Sequence, residues 1–111
     1  MKYALLIYSS PESRDLREDQ LKSVISEFEA ILDEPGVLDG MALQGTESAT
    51  TVRVQNGEAL LSDGPFVDAK EYLGGIYVFE ADNLDEATAL AARVPAARMG
   101  GAVEVRPIME R

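Results

Sequence analysis

The sequence predicts an α+β fold in which two helices cover one face of a β-sheet. Three observations support this prediction. Strand-like and helix-like periodicities alternate along the chain, an Asn-Gly pair joins two alternating runs, and 111 residues are enough for one domain but not for two. We therefore treat residues 1–111 as a single domain and take its elements in order.

The chain opens with a strand and an amphipathic helix. In residues 2–8 both alternating faces are apolar, which indicates a central strand that is covered on both sides. A secretion signal has a similar apolar stretch, but no small-residue cleavage site follows here, so we expect a cytoplasmic protein. In residues 15–34 apolar side chains recur every three or four positions, which predicts a helix that ends at Pro35-Gly36.

The middle of the chain predicts an irregular strand and a hairpin. The irregular strand comprises residues 37–38 and 41–44. Residues 51–55 and 58–62 flank Asn56-Gly57, which is a strong hairpin signal because both turn positions need a positive φ. A two-residue turn places four side chains on one face of this hairpin, namely Val52, Val54, Ala59 and Leu61.

A second central strand and a second helix follow. Residues 73–81 alternate between two apolar faces, and the Gly74-Gly75 pair near their start predicts a bulge or a close backbone approach. Asn83 has the position of a helix N-cap, with Glu86 three residues later in a capping-box spacing. The helix that begins there is short, rich in alanine, and predicted to end at Pro95.

The last predicted strand, residues 102–107, completes the order β-α-β-hairpin-β-α-β. This order fits a ferredoxin-like sheet with an added hairpin. Two helices cover only one face of such a sheet, although residues 3–8 and 76–79 are apolar on both faces. Monomers rarely expose apolar patches beyond a few hundred Å², so we expect a homodimer that packs sheet to sheet. A monomer whose irregular segments cover the second face is the alternative.

The composition excludes several classes of function. A chain without cysteine and histidine has no disulfide, thiolate metal site, Ser-His-Asp triad or Cys-His dyad. The net charge of −10 and the scattered basic residues argue against a nucleic-acid partner, which requires a positively charged surface. No apolar run approaches the roughly 20 residues that cross a bilayer, so we expect no membrane partner. Nine acidic residues lie between positions 12 and 39, which is typical of a solvated helix face.

One segment is unusual for a loop. Asp63-Gly64-Pro65-Phe66, followed by Lys70-Glu71 and Gly74-Gly75, resembles the DGPF-domain branch of the YCII-related proteins, and residues 1–8 and 101–108 support the match. The resemblance implies a small dimeric α+β-barrel-like protein, similar in fold to muconolactone isomerase and without an established activity for most members. Several relatives are associated with extracytoplasmic-function sigma factors. Other YCII-like proteins carry a His–Asp pair suspected of catalysis, and that activity does not transfer to a chain without histidine.

Three residues in this segment are candidate catalytic groups. Asp63, Lys70 and Glu71 would converge on a cleft at the edge of the dimer. A desolvated carboxylate there would act as an acid or base, and Lys70 would anchor an anion. A structural interpretation stays open beside this one, in which Asp63 accepts backbone N–H groups in an Asx-turn and Lys70 forms an ion pair with Glu71.

Arg53, Arg106 and Phe66 are the candidate substrate-binding residues. Both arginines are predicted to point away from the helix-covered face, where a guanidinium would bind a small carboxylate through two hydrogen bonds. Alternatively, Arg106 pairs with Glu104 on the same strand face. Phe66 is expected to anchor its loop in the apolar interior.

We expect neither a metal nor a cofactor. Asp63, Asp68 and Glu71 lack the ligand-rich loop of a calcium site, and Gly74-Gly75 precedes a strand, whereas phosphate-binding loops precede helices. Two functions remain open. The first is a small-molecule-binding protein or cofactor-free enzyme of unknown reaction. The second is a non-enzymatic interaction module associated with sigma-factor regulation, whose acidic helix would meet a basic partner.

Overall fold

The computed structural model describes residues 1–11, 16–67 and 69–110. Its strands are β1 (Lys2–Ser9), β2 (Val37–Ala42), β3 (Thr50–Gln55), β4 (Glu58–Asp63), β5 (Tyr72–Glu80) and β6 (Ala102–Pro107). Its helices are α1 (Glu18–Leu32), α2 (Leu84–Ala91) and α3 (Pro95–Arg98), and a 3-10 turn spans Thr46–Ser48. A four-stranded sheet has the order β2-β5-β1-β6, and a separate two-stranded sheet pairs β3 with β4.

The four-stranded sheet confirms the predicted ferredoxin-like α+β fold. β1 lies between β5 and β6, and every neighbouring pair is antiparallel. Leu5 pairs with Tyr77 on one side and Val105 on the other, so these three side chains share a face. The register of β1 against β5 shifts around Gly74, which confirms the predicted bulge.

The hydrophobic core lies between this sheet and the helices. Its buried residues include Tyr3, Leu5, Ile7, Tyr77, Phe79, Ala87, Leu90, Ala91 and Val94. α2 begins as predicted, because the Asn83 side chain accepts a hydrogen bond from the Glu86 backbone N–H at 2.9 Å. The Glu86 carboxylate accepts from the backbone N–H of Asp82 rather than from that of the cap residue. Among the residues that the structure describes, no helix is both long and apolar enough to cross a membrane.

The region around Pro95 differs from the prediction. The sequence predicts that Pro95 ends the second helix, whereas α2 ends at Ala91 and Pro95 begins α3. Proline suits the first position of a helix because the N–H that it lacks has no intrahelical partner there. Pro95 and Ala96 of α3 are both buried, so the described residues form three helices instead of the predicted two.

Helix α1 is shorter than predicted and packs loosely. It spans Glu18–Leu32, whereas the predicted helix covers residues 15–34 and begins at Asp15, which lies outside the described residues. Ile31 is the buried residue of α1, while Leu21 and Ile25 of the predicted apolar stripe are each 45% exposed. An amphipathic helix was therefore correctly predicted, but part of its apolar stripe, including Leu21 and Ile25, remains exposed.

Two ion pairs connect the α1 region to the α2–α3 region. Glu27 of α1 pairs with Arg98 of α3, and Glu34 just after α1 pairs with Arg93 just after α2. All four side chains remain at least partly exposed to solvent. The pairs hold the end of α1 near α3, and a space remains between α1 and the sheet.

The hairpin forms with the predicted turn and register. Asn56 and Gly57 both have positive φ, at 51° and 79°, and Val54 pairs with Ala59. Its apolar face is exposed, since Val54 and Leu61 are each 69% accessible to solvent. The hairpin forms a sheet separate from the larger one, which makes the molecule less compact. Its radius of gyration is 15.8 Å, compared with about 13 Å for a compact chain of this length.

The second face of the four-stranded sheet, which we call the open face, carries none of the helices that the described residues form. Its apolar residues are half-buried rather than buried, namely Ala4, Leu6, Tyr8, Ile76 and Val78. Glu104 and Arg106 share this face because they pair with Leu6 and Ala4. The prediction that β1 is covered on both sides is therefore not met within one chain. Arg53 lies on the hairpin, as predicted, but the hairpin is a separate sheet, so Arg53 does not share the open face with Arg106.

Candidate functional site

The space between α1 and the sheet is a cavity of about 430 Å³, which we call the helix-side cavity. Val24, Ile25 and Phe28 line it from α1, and Ile7 and Tyr77 line it from the central strands. Ligand cavities in proteins commonly measure about 300–1,000 Å³ and are mostly apolar. The helix-side cavity has both properties.

Three glycines on β2 and β5 form part of the cavity wall. Gly40, Gly74 and Gly75 line the cavity without contributing side chains. A Cβ atom on Gly40 would lie 2.5 Å from Leu32 Cδ2 and 2.7 Å from Tyr77 Cδ1. A larger residue at position 40 would therefore displace the side chains that form the wall.

Polar groups in the helix-side cavity are few. The Tyr77 hydroxyl donates a hydrogen bond to the Phe28 carbonyl at 2.7 Å, and burial raises the pKa of Tyr77 to about 12. The Ser10 hydroxyl donates to the Met99 carbonyl at 2.9 Å. Ser9 and Glu29 complete the polar part of the lining. This arrangement favours binding of a mostly apolar molecule over general acid catalysis by Tyr77, whose proton is held tightly at neutral pH.

A second cavity, the loop-side cavity, borders the open face beside the motif of residues 63–66. Its volume is about 880 Å³. Tyr8 and Leu73, which pair with each other, form part of its wall. Pro65 and Phe66 of the motif line it from one side, and Glu71 also contributes.

Backbone contacts hold the turn at residues 63–66. Gly64 has a φ of 98°, and its N–H donates to the Ala49 carbonyl at 2.8 Å. The Thr51 hydroxyl donates to the Gly64 carbonyl at 2.8 Å. Within the described part of the chain, the Asp63 carboxylate accepts no hydrogen bond. The Asx-turn of the structural interpretation therefore does not form. A glycine at position 64 is explained by the left-handed backbone, which penalises a Cβ atom.

The structure brings together two of the predicted substrate-binding residues. The Arg53 guanidinium lies over the Phe66 ring, 4.7 Å from its centroid. Phe66 is 66% exposed, so the expectation that it anchors the loop in the interior is wrong. The third, Arg106, forms an ion pair with Glu104 at 3.1 Å on the open face, as the alternative interpretation predicts.

The three candidate catalytic residues are all exposed. Glu71 lines the loop-side cavity, whereas Asp63 and Lys70 line neither cavity. In the described ranges, Lys70 forms no ion pair with Glu71 or Asp63. Asp68, a further candidate for binding a metal ion, lies outside those ranges. The described residues contain no cluster of three carboxylates that could hold a metal ion.

Sequence reasoning missed the residues of the helix-side cavity. Val24, Ile25 and Phe28 were assigned to packing, because an apolar stripe on a helix ordinarily contacts the sheet. Gly74 and Gly75 were the available signal, since adjacent glycines in a strand indicate either a bulge or a close backbone approach. Both occur here.

Comparison with known proteins identifies the family. The family model described as the YCII-related domain matches residues 1–111, which is the whole chain. The chain belongs to the YCII-related family. This confirms the resemblance drawn from the motif, while membership of the DGPF branch stays a prediction. A similar protein, "Uncharacterized protein R00369" of Rhizobium meliloti (strain 1021), is 34% identical to this YCII-related chain, over 97% of the chain and 92% of the relative.

A solved structure shares the fold. It is that of 5-chloro-2-hydroxyhydroquinone dehydrochlorinase (TftG) from Burkholderia phenoliruptrix AC1100, in complex with 2,5-dihydroxybenzoquinone. The match covers 100% of this YCII-related chain and 96% of the other, with a TM-score of 0.57 and 18% identity. An identity this low supports the α+β architecture and carries no information about the reaction.

Proposed function

We propose that this YCII-related protein is a homodimer that binds a small ring-bearing molecule in the helix-side cavity. The observation that carries the proposal is the cavity itself, with its volume of about 430 Å³ and its largely apolar lining. A cavity of about 150 Å³ already accommodates benzene, so this one has room for one or two rings.

The fold comparison supports a molecule of this kind. TftG was solved in complex with 2,5-dihydroxybenzoquinone, a single-ring compound. The two chains share a fold over nearly their full lengths. Since function depends on the site more than on the fold, the comparison sets the size of the first probes and leaves the chemistry open.

The six residues singled out by the sequence belong to a second, subordinate part of the proposal. Glu71 and Phe66 line the loop-side cavity, and Arg53 lies over Phe66. In a dimer packed through the open face, this cavity would lie at the edge of the interface. Glu71 is the strongest candidate for acid–base chemistry, and Asp63, Lys70 and Arg106 are proposed as supporting charges.

The homodimer is supported by the uncovered apolar surface. The open face presents Leu6, Ile76 and Val78, which are only half-buried in one chain. The hairpin adds Val54 and Leu61 as a second uncovered apolar surface. Burying such surface contributes about 25 cal/mol per Å², so a second copy is a favourable partner for the open face.

Calorimetric titration with phenols, aromatic alcohols and quinones of one ring tests ligand binding. The variant Ile25→Trp places a larger side chain in the cavity and should abolish the binding of any ligand found. Leu84→Trp is the matched control, because Leu84 is an exposed aliphatic residue on α2 that lines neither cavity. Equal binding by the wild type and Ile25→Trp would contradict the assignment to the helix-side cavity.

A further inference from the structure

We infer that the helix-side cavity selects uncharged ring-bearing molecules with one hydrogen-bonding group, and that the Ser9 hydroxyl binds this group. The inference rests on the proposed function and adds the chemical class of the ligand. It follows from the charges around the cavity, the use of its polar atoms, and the shape of its walls.

The charges around the cavity disfavour an anion. Among the described residues that line it there is no lysine or arginine, and Glu29 on α1 is the one charged group. Nearby Arg98 already pairs with Glu27. Among these described residues an anion would find no cationic partner to replace its lost hydration, and burying an unpaired charge is costly.

A cation is disfavoured for a different reason. Glu29 is exposed, so water screens its attraction for a cation at the mouth of the cavity. Deeper inside, Ile7, Val24 and Phe28 offer no charged group to replace the lost hydration. A neutral ligand avoids both penalties.

The hydrogen-bonding groups of the cavity are mostly in use. Tyr77 donates its proton to the Phe28 carbonyl, and Ser10 donates to the Met99 carbonyl. Ser9 lies beside Gly74, where a Cβ atom would be 2.9 Å from the Ser9 Oγ. In the part of the chain that the structure describes, the Ser9 hydroxyl makes no hydrogen bond. It is therefore able to donate to, or accept from, a group on a ligand without breaking an existing contact.

The walls favour a ring for the remainder of the molecule. Tyr77 and Phe28 present aromatic surface, and aromatic pairs prefer offset-stacked or edge-to-face contacts. Gly40 and Gly75 contribute only backbone to the wall, and the side chains of Leu32, Tyr77 and Ile7 lie beside them. A ring with one hydroxyl or carbonyl group matches this combination.

Three compounds with the same ring and different charge test the inference. Benzyl alcohol, benzoate and benzylammonium are titrated separately against the protein at pH 7, and binding is followed through NMR chemical shifts. We expect benzyl alcohol to bind at least about tenfold more tightly than either ion, because an unpaired buried charge costs several kcal/mol in an apolar site.

The Ser9→Ala variant tests the proposed hydrogen bond. It should weaken binding of benzyl alcohol about fivefold, the usual effect of losing one hydrogen bond, and leave toluene unchanged. Ser26→Ala is the control, because Ser26 is an exposed α1 residue that does not line the cavity. If toluene weakens as much as benzyl alcohol, the hydroxyl is not the contact and the inference is overturned.

The outcomes separate this inference from the proposed function. If benzoate or benzylammonium binds as tightly as benzyl alcohol and Ile25→Trp abolishes that binding, the cavity is a ligand site but does not select neutral molecules. If none of the four compounds binds, both proposals are overturned. Preference for benzyl alcohol, lost in Ile25→Trp and weakened in Ser9→Ala, supports both.

Discussion

At the scale of single residues, the motif at positions 63–66 depends on its glycine more than on its aspartate. Gly64 has a φ of 98° and exchanges hydrogen bonds with Ala49 and Thr51. The structural interpretation of the sequence placed the fixing contact on the Asp63 carboxylate, whereas the contacts in the structure are those of the Gly64 backbone. The sequence does not reveal these backbone contacts, because Ala49 and Thr51 come close to the turn only once β3 has paired with β4.

The first prediction compares the two residues of this turn. Gly64→Ala should lower the free energy of unfolding by about 1 kcal/mol, because a Cβ atom is unfavourable at positive φ. A Cβ there meets no other atom within 4 Å, so the effect is that of the backbone alone. Asp63→Ala should change the same quantity by less than about 0.5 kcal/mol. Chemical denaturation measures both, and an equal loss in Asp63→Ala would show that its carboxylate holds the turn.

The second prediction concerns Tyr77 and alkaline pH. The folded-state pKa is about 12, above the ordinary value of 10, so the unfolded chain gains the phenolate charge first as pH rises. The stabilisation is complete below pH 10 and is lost between pH 10 and 12. The Tyr77→Phe variant lacks this group and should show a smaller decline in unfolding free energy over that range. Identical pH profiles for the two proteins would contradict the raised pKa.

At the scale of elements, helix α1 shows which structural features apolar periodicity predicts and which it does not. Its apolar spacing predicted a helix with one face toward the sheet, and the helix exists. Periodicity reports which residues share a face, and it does not report the distance from that face to its neighbour. Here Leu21 and Ile25 remain 45% exposed, and the space beside them is the candidate site. The cavity therefore could not be predicted from the sequence.

The ion pair between Glu27 of α1 and Arg98 of α3 gives the third prediction. A double-mutant cycle with Glu27→Gln and Arg98→Met should report a coupling of about 0.5 kcal/mol, because both side chains are partly exposed. The coupling should fall as ionic strength rises. Coupling that is unchanged at 1 M salt would indicate that the two residues act on α1 through packing and not through their charges.

At the scale of the whole molecule, the chain is flat and leaves two apolar surfaces uncovered. Its extents are 46 × 43 × 19 Å. The open face was predicted, because the strand sequences are apolar on both faces and two helices cover one of them. The exposed hairpin was not predicted, since its alternating pattern is the same whether its apolar face meets its own chain or another.

The fourth prediction tests the homodimer through the open face. Val78→Lys places a charge at the centre of that face and should convert dimers into single chains, as measured by sedimentation equilibrium at micromolar concentration. Thr88→Lys, on the exposed side of α2, is the control and should not change the mass. Circular dichroism confirms that each variant is folded. A wild-type protein that sediments as a single chain would contradict the homodimer.

NMR mapping of the backbone amides during titration with benzyl alcohol tests directly whether the helix-side cavity holds the ligand. We expect shifts concentrated at Val24, Phe28, Met41 and Gly75. Shifts confined to the loop-side cavity, around Gly45, Phe66 and Glu71, would contradict this expectation, as would a spectrum that does not change.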